Sequence, residues 1–266
     1  HAFALLSENY SGELARALTR ELADAAGSRR LIGGQMEDLL AEKKADASTD
    51  DLEFIHLNKT AAMIEALRPF LLHLTPIVCL QNGVDNEKLL GEAFGPEHIV
   101  GAAVTTAAGR PAPGVIVVER LRGVGLVAGH PIVHPLAAAM NEAGLNARLY
   151  AREADLKWSK LLTNLLANPT SAILDMTPAE IFAHPGLFRL EIAQLREALA
   201  VMQAHHARVV DLPGIPVRLL ALAAQKMPLA LARPLLASRV GKGRGGKMPS
   251  FHIDLYAGNP KSEVPY

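Results

Sequence analysis

Two patterns divide this 266-residue chain. Up to Tyr150, short apolar runs alternate with helical periods; from Leu156 onward only helical periods remain. Strands alternating with helices imply a mostly parallel sheet. The fold class expected is therefore α/β over residues 1–152, followed by an all-α C-terminal domain over residues 153–266.

In the first part, His1–Leu6 has strand length and Glu13–Ala26 a helical period. Met36–Glu42 reads as a brief helix, Leu52–Leu57 as a strand and Ala61 to about Phe70 as a helix. Pro76–Leu80 is a strand, Gln81-Asn82-Gly83 its turn, Glu87–Phe94 a helix and His98–Thr106 a strand. Val115–Arg120 and Leu126–Ala128 are expected to form a hairpin of more exposed strands, and Leu136–Ala143 a helix. In the second part, Pro185–Ala207, Val217–Lys226 and Leu229–Val240 carry helical periods, the last two punctuated by Pro228 and Pro234. Gly241–Lys247 reads as a basic glycine loop, and a last helix is expected from Ser250 as N-cap to near Gly258.

The chemistry gathers in Leu156–Ala172. Lys160, Asn164 and Asn168 are four residues apart, one stripe on a single helix. Two amides and an ammonium on an otherwise apolar helix must find hydrogen-bond partners. Pro169 pushes Asn168 out of helical geometry, to a helix end or kink. A solvated surface stripe is an equal reading of the spacing. Lys157, three residues before Lys160, is expected to be nearly neutral to substitution.

Strand, turn and helix at the start of the chain also open a dinucleotide-binding unit. The turn reads SENYSG, so only Gly12 takes a glycine place of GxGxxG; Ser7 and Asn9 stand at the other two. An ordinary strand–turn–helix outweighs the motif here. Ligands of open α/β sheets sit at strand carboxyl ends, where Lys59 and Asn82 are expected, beside the Lys160 helix. Arg29 and Arg30 are read as solvated charge.

Lys plus Arg and Asp plus Glu each number 27. That balance argues against nucleic acid or an anionic membrane as partner. No apolar run approaches the ~18–20 residues of a membrane span, and a soluble, cytoplasmic protein is expected. Cys79 is the single cysteine and is expected to pack as a small buried hydrophobe. The histidines show no metal-ligand spacing, and His205-His206 reads as exposed helix surface.

Several stretches together resemble the 2-dehydropantoate 2-reductase (ketopantoate reductase) family. They are NKT at Asn58–Thr60, LQNGVDNE at Leu80–Glu87, KWSKLLTNLLANPTSAI at Lys157–Ile173, KMPSFHIDL at Lys247–Leu255 and SE at Ser262-Glu263. The resemblance implies a Rossmann-type first domain, a helical second domain and an active site between them. It implies NADPH as cofactor, preferred over NADH, and a small 2-oxo acid, ketopantoate, as substrate. Lys160 becomes the catalytic lysine and Glu263 its acidic partner; Asn164, Asn168 and Ser250 surround the substrate. Lys59 and Asn82 lie beside the cofactor, with Ser7, Asn9 and Gly12 in its turn. A related reductase of other specificity, and a non-catalytic relative that has lost nucleotide binding, remain open alternatives. A homodimer stays open as the assembly.

Overall fold

The computed structural model describes residue 8 and residues 10–26, 76–112, 115–244, 248–249, 252–253 and 256. The chain separates into two compact units, residues 1–75 with 258–260, and residues 76–257 with 261–266. In the first unit, α1 (Gly12–Ala26) forms where its helical period and acidic first turn require. Its first hydrogen bond runs from the Ala15 N–H to the Ser11 carbonyl. The other elements expected before residue 76 lie outside the described residues.

The second unit starts with β1 (Ile77–Cys79), a turn, α2 (Asn86–Phe94) and β2 (Ile99–Val104). A hairpin follows, β3 (Ala107–Ala112) with β4 (Val115–Arg120), then β5 (Val124–Val127), α3 (Val133–Glu142) and β6 (Ala147–Tyr150). The four-stranded sheet has the order β1-β2-β5-β6. β1 runs parallel to β2, β5 parallel to β6, and β2 antiparallel to β5. The expected hairpin is corrected: β4 pairs with β3, and Val124–Val127 is a central strand buried between β2 and β6. The sequence of β3, AAGRPA, hides its strand, because glycine and proline are depleted in strands.

Both faces of this sheet are covered, which its period-2 pattern records. Val100, Ala102, Val124 and Leu126 pack on one side with Val133 and Ala137 of α3. Ala103, Val127 and Tyr150 point to the other side, into the core of the helices that follow. Those are α4 (Glu153–Leu165), α5 (Asn168–Leu174), α6 (Pro178–Ala183), α7 (Pro185–Ala204), α8 (Val217–Lys226) and α9 (Leu229–Arg244). Thr177 and Glu180 form a capping box that starts α6. α9 runs through Pro234 and on to Arg244, so Gly241–Arg244 is helix where a glycine loop was expected.

Glycine decides how closely α4 approaches the sheet. A Cβ at Gly125 would lie 2.7 Å from a Leu156 methyl carbon and 3.0 Å from the Tyr150 ring. At Gly101 it would meet the Glu153 stem and a Val127 methyl at 3.1 Å. With both positions bare, Leu156 seats directly on the strands and is fully buried.

Candidate active site at the end of strand β1

The described part of the site is built on α4 and the turn after β1. α4 carries several polar faces, each matched to a neighbour. Asp155 accepts from the Arg208 N–H at 2.8 Å and Ser159 from the Val210 N–H at 2.9 Å. This row of two, four residues apart, docks residues 208–210. Leu156 and Leu162 point into the core.

Lys157 lies under the sheet edge. Its ammonium stands 2.5 Å from Glu87 Oε1, both side chains being 2% exposed. The same ammonium donates to the Gln81 carbonyl at 2.8 Å and the Cys79 carbonyl at 3.5 Å. Among the described residues the Glu87 carboxylate has the Cys79 thiol and the Lys157 ammonium beside it, and the charge of Lys157 is what compensates it. Burial, and then the Glu87 carboxylate, hold the Glu153 carboxyl above its ordinary range, with Lys157 opposing. Burial and then Glu87 likewise push the Cys79 thiol up to about 11. Cys79 is buried and free, as its apolar run suggested. Removing one member of a buried ion pair strands the other, at roughly 3–5 kcal/mol. The expectation that Lys157 is neutral is therefore corrected: it lies only about 60° round the helix from Lys160, yet its ammonium is buried against Glu87 and the Gln81 carbonyl.

The turn itself is held from two sides. Lys157 grips Gln81, and the Asn86 amide donates to the Asn82 carbonyl at 2.6 Å. Gly83 has φ +105°, and a Cβ there would come within 2.8 Å of the Asn86 amide nitrogen, so only glycine fits. Asn82 is thereby left exposed at the carboxyl end of a parallel strand. The Asn164 amide reaches it from α4, donating to Asn82 Oδ1 at 3.4 Å.

Lys160 and Asn164 share one face of α4, both half-buried. Asn168 does not continue their helix. α4 ends at Leu165, Ala167 takes a left-handed conformation at φ +56°, and α5 begins with Asn168. The single stripe is thus broken, although Asn168 does sit at a helix end as Pro169 implied. The buried Glu191 of α7 holds the break, accepting from the Ala167 N–H at 2.8 Å and the Thr170 hydroxyl at 2.5 Å. Asn168 Oδ1 is buried without a hydrogen-bond partner among the described residues, and so is the Ser171 hydroxyl.

Of the remaining candidates, Gly12 is exposed at the start of α1, where a Cβ would meet nothing within 4 Å. Ser7, Asn9, Lys59, Ser250 and Glu263 lie outside the described residues. Near Ser250 the backbone is helical at His252, Ile253 and Tyr256, and His252 Nε2 lies 2.7 Å from Asp175 Oδ1. His205 and His206 are exposed just past α7, with the His205 ring stacked on Trp158. Among the described residues no His, Cys, Asp and Glu cluster could hold a metal ion. None of their helices is long and apolar enough to cross a membrane.

Two family models match, described as "Ketopantoate reductase PanE/ApbA" over residues 57–127 and "Ketopantoate reductase PanE/ApbA C terminal" over residues 154–266. The chain belongs to the ketopantoate reductase family. Its fold class is that of the family, a Rossmann-like domain followed by a helical one. A 2-dehydropantoate 2-reductase of Streptococcus pyogenes serotype M3 is 29% identical over 189 residues, which cover 65% of this chain and 60% of that protein. The chain thus spans about 60% of the length of such relatives. The crystal structure of a PanE/ApbA family ketopantoate reductase from Ralstonia eutropha JMP134 is similar at 20% identity and TM-score 0.60. That match covers 76% of this chain and 60% of the other. D-mandelate dehydrogenase in complex with NADH shares the fold at 18% identity and TM-score 0.58, over 77% of this chain and 70% of that one.

Proposed function

We propose that the protein reduces ketopantoate to pantoate with NADPH, in the cytoplasm. Residues 1–152 form the dinucleotide-binding domain and residues 153–266 the substrate domain in this reading. The observation that carries it is the meeting of Asn82 with Asn164 at 3.4 Å. A residue assigned to the cofactor and one assigned to the substrate, far apart in the chain, share one place at a strand's carboxyl end. That is where open α/β sheets take their ligands, so the residues present fit a nicotinamide nucleotide. The resemblance assigns Asn82, Lys59, Ser7, Asn9 and Gly12 to the cofactor.

A bound nicotinamide supplies the hydride, to the keto carbon of the substrate. The chain supplies the rest. As the carbonyl oxygen gains negative charge, Lys160 offers both a positive charge and the proton that completes the hydroxyl. Glu263 holds that ammonium. Asn164, Asn168 and Ser250 bind the hydroxyl and carboxylate of the substrate without adding negative charge. The buried Oδ1 of Asn168, which has no hydrogen-bond partner among the described residues, supports this assignment, since it is an acceptor suited to a substrate hydroxyl.

The test is steady-state kinetics on ketopantoate and on 2-oxoisovalerate, which lacks the hydroxyl. Ketopantoate is expected to be far the better substrate, because its deoxy analogue leaves buried amides unpaired. Lys160→Ala should lower kcat by roughly 10²–10⁴-fold, the usual worth of general acid catalysis. Asn168→Ala should narrow the preference between the two substrates. Equal use of both substrates, or an unimpaired Lys160→Ala enzyme, overturns the reading.

A further inference from the structure

We infer that Lys157 is a positioning residue: through the backbone of the β1 turn it sets where Asn82 stands against Asn164. The inference rests on the proposed reductase function for its catalytic half and on geometry alone for its structural half.

A lysine buried to 2% exposure beside an equally buried glutamate is a costly arrangement if stability is its only return. Burying two charges forfeits their hydration, and an apolar pair of similar volume is often as stable. The structure gives this lysine a further task. Its ammonium is directed not only at Glu87 but at two carbonyls of one short stretch, Gln81 at 2.8 Å and Cys79 at 3.5 Å. Glu87, in the first turn of α2, holds the same ammonium. Lys157 therefore ties the end of β1, the turn and the start of α2 to α4.

Asn82 is the next residue after the gripped carbonyl, and its own carbonyl is held by Asn86. With its backbone held on both sides, the Cα–Cβ bond of Asn82 keeps its place, from which the side chain reaches Asn164 on the same α4. Asn164 is seven residues after Lys157, two turns along the helix. One helix thus carries both the clamp and the residue that Asn82 must meet. A one-ångström error in such a site costs about 10²-fold in rate, so the clamp belongs to the site's geometry even though Lys157 touches neither ligand.

Lys157→Met alone strands Glu87 and could fail to fold, whereas Glu87→Gln leaves the ammonium its two carbonyls, so the comparison is between Glu87→Gln and the double variant Lys157→Met/Glu87→Gln, each first shown to melt cooperatively. These two differ only in the lysine. Cys79, the only cysteine of the chain, reports on the strand end through its rate of labelling by an aromatic disulfide reagent. Compared at equal thiolate fraction, taken from the pH profile of each variant because Lys157 also lowers the thiol pKa, labelling is expected to be faster in the double variant than in Glu87→Gln. Equal rates in two folded proteins overturn the clamp.

The second arm measures kcat/KM and its loss on Asn82→Ala in each background. The double variant is expected to lose about 10²-fold and then to lose little more on Asn82→Ala, whereas Glu87→Gln keeps the full cost of Asn82→Ala. If Asn82→Ala costs the same in both, the lysine is merely structural and the positioning role is overturned. If the wild-type chain reduces no 2-oxo acid, the functional reading fails with the catalytic half of this inference, and the labelling arm still decides the clamp.

Discussion

At the scale of single residues, α4 shows how one lysine differs from another three positions away. Lys157 is buried between two carboxylates, Glu87 and Glu153, and compensates chiefly the first. Glu153 is left with a raised pKa, burial being the main cause. A carboxyl whose folded pKa lies above its unfolded value binds more protons in the folded state. Its contribution to stability is therefore most favourable at low pH and declines as pH rises from its ordinary value of 4.5 through the raised one. Glu153→Gln should remove that decline: the variant should match the wild type in acid and exceed it in melting temperature at neutral pH. Thermal melts at pH 4 and pH 7 check this, and a larger gain at pH 4 would reverse the assignment. The sequence shows none of it, because Asp155, Lys157 and Ser159 are residue types that are mostly exposed. Each is in fact buried, and each is satisfied by a partner 51 to 76 residues away in the chain. Spacing places residues on a common face but does not say what that face meets.

At the scale of elements, apolar periodicity was a good guide wherever a helix or strand has one buried face. α1, α2, α3, α7 and α8 lie within a few residues of their expected ranges, as do β1, β2 and β4. It failed where another term outweighed the pattern. β3 is held by pairing with β4 despite its glycine and proline. The expected single helix from Leu156 to Asn168 breaks at Ala167, because Glu191 captures that residue's N–H. A glutamate in α7, inside an ordinary helical period, gives no hint of this duty. The candidate site is legible in the same partial way: Asn82 and Asn164 meet as expected, while the clamp beneath them does not register in the spacing. Glycines at the sheet surface were also silent, yet they set the distance between layers. Gly125→Ala puts a methyl 2.7 Å from a carbon of the fully buried Leu156. Overpacking of this kind costs typically 1–3 kcal/mol, so chemical denaturation should show a loss of about that size. Gly12→Ala, with nothing within 4 Å, should be tolerated. A stable Gly125→Ala protein would mean that α4 can shift without cost, and would weaken the close seating of Leu156.

At the scale of the whole molecule, the question is whether a chain that matches such relatives over about 60% of their length still takes a dinucleotide. The turn before α1 carries Ser7 and Asn9 where a fingerprint has glycines, so pyrophosphate contacts are expected to be weaker than with a full GxGxxG. Weak binding is still measurable by linkage. A ligand that binds only the folded state adds RT ln(1 + [L]/Kd), about 2.7 kcal/mol at a hundredfold excess over Kd. For a chain of this size each kcal/mol raises the melting temperature by roughly 2–4 °C. NADPH is therefore expected to raise the melting temperature progressively with concentration. NADH should need a higher concentration for the same shift, since the reading takes the 2′-phosphate to meet the cationic Lys59. Lys59→Ala should bring the two nucleotides together by weakening NADPH alone. Equal or larger shifts with NADH in the wild type would overturn the NADPH preference. A melting temperature that neither nucleotide moves, in a cooperatively folded protein, would favour a relative that keeps the fold and has lost nucleotide binding.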